Sequence, residues 1–475
     1  MRILHINTYQ TGGAALCMQR LGKALYKQGV ECRFLLMNGD DNNYTSIATG
    51  DTNIWSRYSL LRLFQKAAYL IGIKPKYIKL KLQLNKALLE KEERIYPTLP
   101  LSYYRTITTH PWVKDADIIH IHWIGNFVDF PTFFKNIKKP IVWTIHDLNP
   151  LLGCFHYKDN YKTASQSLCK IEKECLKIKH KALSNRKNIN IVAISEQMFK
   201  AIKTNQTLSK YPTTIINNGV DTEKFIPYDR KATREELNIG TDMIVFMFSA
   251  YTLEDRHKGL KELICALETT KLKNIVLLCI GNYLDIPKTS FPIQCVGYVS
   301  EEALLSKYYS TANYFVMPSY QEGFAQTPLE AMSCGTPVIA FPCSGTEDLI
   351  NENNGIICKD FTIQALIEGI ICAINKQFSS STIRKDIINR FTYSNISKQY
   401  INLYNTIVRD SNVSETIDAF SNLNNDIIKQ QRAEHKQQLE LFSHLDEQRD
   451  FYKMLITHPR YIAGWIKRKI QNLFN

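Results

Sequence analysis

Glu322-Gly-Phe-Ala-Gln-Thr-Pro-Leu-Glu330, followed by Ala-Met-Ser-Cys-Gly335-Thr-Pro337-Val, sets two carboxylates eight positions apart around a turn from strand to helix. Just upstream, Asn313-Tyr-Phe-Val-Met-Pro-Ser319 is a short apolar run closed by a proline and reads as a buried strand. The turn then lies at a strand's carboxyl end, where open α/β sheets bind their ligands. Thr327 as cap and Pro328 as first-turn proline would open the helix, with Glu330 in its first turn. Free backbone N–H groups there can receive a diphosphate, while Glu322 and Glu330 accept hydrogen bonds from sugar hydroxyls. A plainer reading is that Glu330 only complements the helix dipole and Glu322 is a solvated loop charge.

The rest of the chain repeats the strand–turn–helix rhythm. Arg2-Ile-Leu-His-Ile-Asn7 reads as a strand, 8–13 as a turn and 14–28 as a helix closed by Gly29. Further strands are expected at 32–37, 118–122, 141–145 and 190–194, spaced by helical or polar stretches, which argues for a parallel sheet. Gly12 and Gly13 let backbone approach a ligand at the first crossover, although the spacing is not a dinucleotide fingerprint. Histidines cluster at two strand ends: His120 and His122 in Ile-Ile-His-Ile-His-Trp-Ile, and His146 in Thr-Ile-His-Asp-Leu. Each can be a satisfied structural residue or a functional one. A polar run to Gly240 fits a linker, after which strands at 243–249, 275–280 and 294–299 begin a second domain. Lys258, before Gly259 at a helix start, opposes the helix dipole unless an anion sits there, and so is a candidate phosphate ligand.

The segment 322–338 resembles, position by position, the E-x7-E motif of the retaining glycosyltransferases of family 4. The resemblance continues through Ser344-Gly-Thr-Glu-Asp-Leu-Ile350, Asn354-Gly355, and Asn218-Gly-Val-Asp221 with Phe225 and Pro227. It spans about 410 residues and implies an α/β protein of GT-B fold, two Rossmann-like domains facing a cleft, with a helical C-terminal extension. The implied organisation is an acceptor-side domain over 1–225, a nucleotide-sugar domain over 226–388, a helix returning to the first domain over 389–410, and a tail over 411–475.

Carried over residue by residue, the resemblance places Glu322 beside the donor sugar, the backbone of Gly323 and Phe324 on sugar and diphosphate, and Glu330 on the ribose. Ala325 stands where family members often have glycine, and Thr327 lies in the same donor-binding turn. Gly12 and Gly13 would pack against the diphosphate across the cleft, and the backbone near Tyr298 and Val299 would contact the base. His146 matches the histidine that reaches the donor sugar, with His122, or His120 two residues away, lining the acceptor side. The catalytic set implied is Glu322, His146 and Lys258. An arginine usual six residues before that lysine is Thr252 here, which leaves Arg256 as the substitute. The implied reaction is transfer of a sugar from a nucleotide-diphosphate sugar to a hydroxyl of a glycan or lipid-linked acceptor, with retention, no essential divalent metal and no cofactor. A branch of the family that builds bacterial surface polysaccharides carries an element similar to Gly153-Cys-Phe-His-Tyr157. A sugar-nucleotide epimerase of the same fold and a non-catalytic binding subunit are the alternatives.

Composition fits a soluble enzyme of several domains: 475 residues, 44% hydrophobic, no signal-peptide pattern at Met1-Arg-Ile-Leu-His-Ile and no run of eighteen apolar residues. The expected location is cytoplasmic, peripheral on the inner face of the plasma membrane. Twelve cysteines, mostly single and within apolar strings, read as reduced core residues. Cys154, His156, Cys169 and Cys175 lie close in sequence without zinc-finger spacing, and a structural loop over the acceptor pocket is the preferred reading. The net charge of +14 is concentrated in two basic amphipathic stretches. One runs from Trp55 to Leu89, with eight Lys or Arg and no acid after Ser56, and the other carries Arg460, Ile462, Trp465, Ile466 and Lys467 to Lys469. Either stretch suits an anionic membrane surface or packs on its own domain. No nucleic-acid module accompanies them, so nucleic acid is not an expected partner.

Overall fold

A computed structural model of the chain describes residues 1–38, 76–89, 95–105, 107–285 and 287–410, with isolated positions 426, 429 and 433 beyond them. The basic stretch from Trp55 to Lys74 and the C-terminal stripe around Trp465 lie outside the described residues.

The described residues up to 406 form one compact unit holding two six-stranded, wholly parallel sheets. The first contains β1 (Arg2–Tyr9), β2 (Glu31–Asn38), β3 (Ile118–Ile121), β4 (Ile141–Ile145), β5 (Ile189–Ala193) and β6 (Thr213–Ile215), in the order β2-β1-β3-β4-β5-β6. The second contains β7 (Ile244–Thr252), β8 (Ile275–Asn282), β9 (Ile293–Cys295), β10 (Tyr314–Met317), β11 (Val338–Ala340) and β12 (Gly355–Ile357), in the order β12-β11-β10-β7-β8-β9. Each sheet reverses its winding once, between β1 and β3 in the first and between β7 and β10 in the second. Parallel sheets of this kind leave a ligand crevice at the strands' carboxyl ends at such a reversal.

Both faces of each sheet are covered, as parallel strands require. Along β7, Val245 and Met247 enter one apolar cluster while Phe246 and Phe248 enter the cluster on the opposite face. In the first sheet Leu4, Ile6, Ile119 and Ile121 face one core, packed with Phe130, Phe133 and Trp143. The other face of β1 and β3 is polar at its centre: register sets His5 beside His120, and both are fully buried.

Four expectations change. The returning helix expected over 389–410 does not run unbroken: the helix Ser380–Phe391 ends within it and a second runs from residue 393. Thr392 breaks them, bridging to Val220 and accepting from Asn395 N at 3.3 Å as a cap, at the point where the chain crosses back to the first sheet. The polar run before Gly240 is not a linker but carries the helix Arg230–Glu236, anchored by buried Arg234. β9 stops at Cys295 because Gly297 takes a φ of +76°, which leaves Tyr298 and Val299 in a loop. The helix after the E-x7-E turn starts at Gln326 with Ala325 at its cap, so Thr327 is not the cap and Glu330 lies beyond the first turn.

The described part of the first basic stretch forms the helix Lys76–Leu88. Leu80, Leu84 and Ala87 dock on the helix Gln166–Leu183 through Leu168, Ile171 and Cys175, and Lys76, Lys79, Lys81 and Lys86 stay exposed. No helix among the described residues is long and apolar enough to cross a membrane.

Candidate active site

The carboxyl ends of the reversal strands converge. β10 leads into Glu322 and β7 into the turn Arg256–Lys258, and Lys258 Nζ donates to Glu322 Oε1 at 2.7 Å. Burial alone would lower the lysine's pKa, but the adjoining carboxylate more than offsets this and holds the ammonium above its ordinary value. The turn is tight because Gly259 adopts φ +77°, where a Cβ would lie 2.1 Å from Pro318 O.

The first domain reaches the same place from the end of β4. A Cβ on Gly323 would sit 2.1 Å from the carbonyl oxygen of His146, so only glycine lets these two backbones meet. His146, Gly323, Glu322 and Lys258, far apart in sequence, therefore lie on one patch of the cleft. Beside them Tyr157 stacks on His257 at 5.1 Å and Gln321 donates to Asp159 at 2.7 Å, so the loop after Gly153 spans the cleft. Burial pushes the Tyr157 phenol up to about 12. Glu172 anchors that loop by accepting from the backbone N–H of Gly153 at 2.6 Å and of Phe155 at 3.0 Å, and from Tyr161.

The histidines are linked. His146 Nε2 lies 3.0 Å from His122 Nδ1, and His122 Nε2 lies 3.0 Å from His5 Nδ1. His120 stands apart: its Nε2 meets Thr144 Oγ1 at 2.8 Å and its Nδ1 meets Tyr404 Oη at 2.7 Å. His120 and His122 are both buried, and each has both ring nitrogens engaged within the chain. Burial lowers the pKa of all four rings, to about 3 for His5 and about 4 for His146. His5, His120 and His122 are close enough to hold a metal ion, but five of their six ring nitrogens are spent in these hydrogen bonds.

Glu330 is buried, and both its oxygens serve the chain itself: Oε1 pairs with Arg20 at 3.1 Å and Oε2 accepts from Tyr309 at 3.1 Å. Arg20 also binds Glu302 at 2.9 Å and so ties the helix Gly13–Lys27 to the second domain. Gly12 takes φ +95°, and a Cβ on either Gly12 or Gly13 would touch nothing within 4 Å. Phe324 is buried against Phe391, whereas Ala325 and Thr327 are half-buried. Arg256 is exposed and, among the described residues, forms no ion pair. Tyr298 is exposed edge-on to Tyr251 at 5.6 Å, with Val299 half-buried beside it. His156 is committed to Asp147 at 2.7 Å and Thr98 at 3.1 Å, Cys154 and Cys175 are buried together, and the four suspected metal ligands form no metal cluster among the described residues.

Sequence reasoning missed His5, Arg20 and Asp147. Asp147 accepts from Trp123 Nε1 at 2.8 Å, from His156 and from Asn149 N, and these bonds outweigh its burial to keep the carboxyl below its ordinary range.

Residues 11–224 match the profile described as Glycosyltransferase Family 4, and residues 229–391 match that described as Glycosyl transferases group 1. The chain has the GT-B glycosyltransferase fold. Sucrose-phosphate synthase from Thermosynechococcus elongatus superposes on this GT-B chain with a TM-score of 0.60 at 18% identity, over 86% of this chain and 99% of that one. The capsular polysaccharide biosynthesis glycosyltransferase CapM of Staphylococcus aureus is 28% identical over 47% of this chain and 63% of its own length. The N,N'-diacetylbacillosaminyl-diphospho-undecaprenol alpha-1,3-N-acetylgalactosaminyltransferase of Campylobacter jejuni is 25% identical over 40% of this chain and 54% of its own. The chain thus spans less than two thirds of the length of these two relatives.

Proposed function

We propose that the protein transfers a sugar from a nucleotide-diphosphate sugar to a hydroxyl of a glycan or lipid-linked acceptor, with retention at the anomeric carbon, in assembly of a cell-surface polysaccharide. The observation that carries this reading is the Lys258–Glu322 pair at the β7/β10 reversal, met across the cleft by His146. Lys258, with exposed Arg256 beside it and the amides at the start of the helix Gln326–Ser333, supplies fixed positive charge for a leaving diphosphate. Neither steric contact nor, at Gly13, backbone angle accounts for the Gly12–Gly13 pair, which favours close approach of a ligand there. Glu322 positions the donor sugar, Gly323 and Phe324 present backbone to it, and Glu330 reaches a ribose through lone pairs not used by Arg20 and Tyr309. Tyr298 and Val299 border the base, and the strand end that carries His120 and His122 lines the acceptor side. The names of the two bacterial relatives support the surface-glycan and lipid-linked parts of the reading. The exposed lysines of the helix Lys76–Leu88 suit peripheral contact with an anionic inner membrane face.

The test is incubation of the full chain with UDP-, GDP-, ADP- and dTDP-sugars, with and without a lipid-linked acceptor extract. Acceptor-stimulated release of nucleoside diphosphate from one donor, lost in Glu322→Ala, is expected. Binding without turnover under any acceptor would indicate a non-catalytic subunit, and sugar isomerisation without acceptor an epimerase.

A further inference from the structure

Three imidazoles run in line from the core to the cleft: His5 Nδ1 to His122 Nε2, and His122 Nδ1 to His146 Nε2, both at 3.0 Å. Successive ring centroids lie 5.3 Å apart, as expected for imidazoles that meet end to end through their nitrogens. A neutral imidazole donates from one nitrogen and accepts at the other, so a proton on one ring fixes the direction of the whole chain. The buried end chooses it. His5 Nε2 has no hydrogen-bond partner, and an orphaned buried N–H is rarer than an under-satisfied acceptor. His5 therefore carries its proton on Nδ1 and donates to His122, which donates in turn to His146 Nε2. His120 does not interrupt the line, since Thr144 and Tyr404 occupy both its nitrogens. At the outer end His146 is half-buried, and among the described residues its Nδ1 has no partner.

We propose that His5 and His122 are positioning residues that lock His146 in its Nδ1-protonated tautomer, so that it meets the bound sugar as a hydrogen-bond donor and not as a base. This rests on the reading of His146 as the first domain's contact with the donor sugar. The tautomer itself can be measured without any donor.

The full chain is labelled with ¹⁵N-histidine, and the His146 ring signals are assigned by their loss in His146→Asn. The expected result is a protonated Nδ1 and a bare Nε2 at neutral pH. In His122→Phe the lock is gone and the Nε2-protonated form appears. In His122→Asn, whose amide nitrogen takes the place of Nδ1 and can still donate, the original tautomer returns. Turnover with the donor found above should fall roughly ten-fold in His122→Phe and recover in His122→Asn. An Nε2-protonated His146 in the unaltered chain overturns the proposal, and so does an unchanged tautomer in His122→Phe. Should the tautomers behave as expected while no variant turns over any donor, the imidazole chain stands and the transfer reading falls.

Discussion

Gly323 concentrates the architecture of the site in one missing atom. The carbonyl of His146 occupies the place where a side chain would begin, so the two domains touch at the residue next to Glu322. Replacement by alanine must move one of two backbones that are each fixed by other bonds, since Ser344 Oγ donates to Gly323 O at 3.0 Å and β4 is held by register to β5. Gly323→Ala should therefore displace His146 from the Glu322–Lys258 pair by an ångström or so. Displacement on that scale costs about 10²-fold in rate. Steady-state assays should show turnover falling by that factor, with a melting temperature only a few degrees lower. Unchanged turnover would mean that the approach of His146 to Gly323 is not part of the working geometry.

The elements divide into those a linear reading reaches and those it does not. Strands such as β4 and β8 are continuous apolar runs whose spacing argues for parallel sheets, while the GT-B fold is what the resemblance carried by the motif at 322–330 implies. Lys258 and Glu322 were each legible as site candidates, because both sit just past apolar strands, but their ion pair was not. His5 was not, since a histidine alternating with Leu4 and Ile6 looks like an outward polar residue until Tyr400 and Tyr404 cover that face. The helix Arg230–Glu236 was hidden too, because charge density reads as solvent exposure unless the acceptors are known. Arg234 donates to Thr311 O at 2.8 and 2.9 Å, to Thr241 O and Met243 O at 2.9 Å, and to Asn313 Oδ1 at 2.7 Å. Arg234→Met keeps the apolar stem but takes these donors from buried Thr311 O and half-buried Met243 O, each loss costing about 1–3 kcal/mol. Urea denaturation should show the chain destabilised by about 3 kcal/mol or more, whereas exposed Lys231→Met on the same helix should change little.

Across the whole unit, the buried imidazoles tie folding to pH. His5 and His146 have folded pKa values of about 3 and 4, and those of His120 and His122 are well below normal, burial being the main cause in each. In the unfolded chain each returns to about 6.5. The unfolded state thus binds more protons wherever the pH lies between the two values, and stability rises with pH through that window. Their contribution is complete above the unfolded pKa and is lost as the pH falls from about 6.5 toward 4, by up to about 1.4 kcal/mol per pH unit for each ring. Carboxylates held below their ordinary range, such as Asp147 and Glu172, add their own loss only at more acid pH. Urea midpoints measured from pH 7.5 to 5 should be flat above pH 7 and fall steeply below 6.5, where the carboxylates held low are still ionised. His5→Phe, which keeps a ring against Phe34, removes one of the four titrating groups and should flatten that fall by about one proton's worth. A midpoint constant from pH 7.5 to 5 would mean that these rings are hydrated or charged in the folded protein, and that the face between the first sheet and its returning helix is open to water.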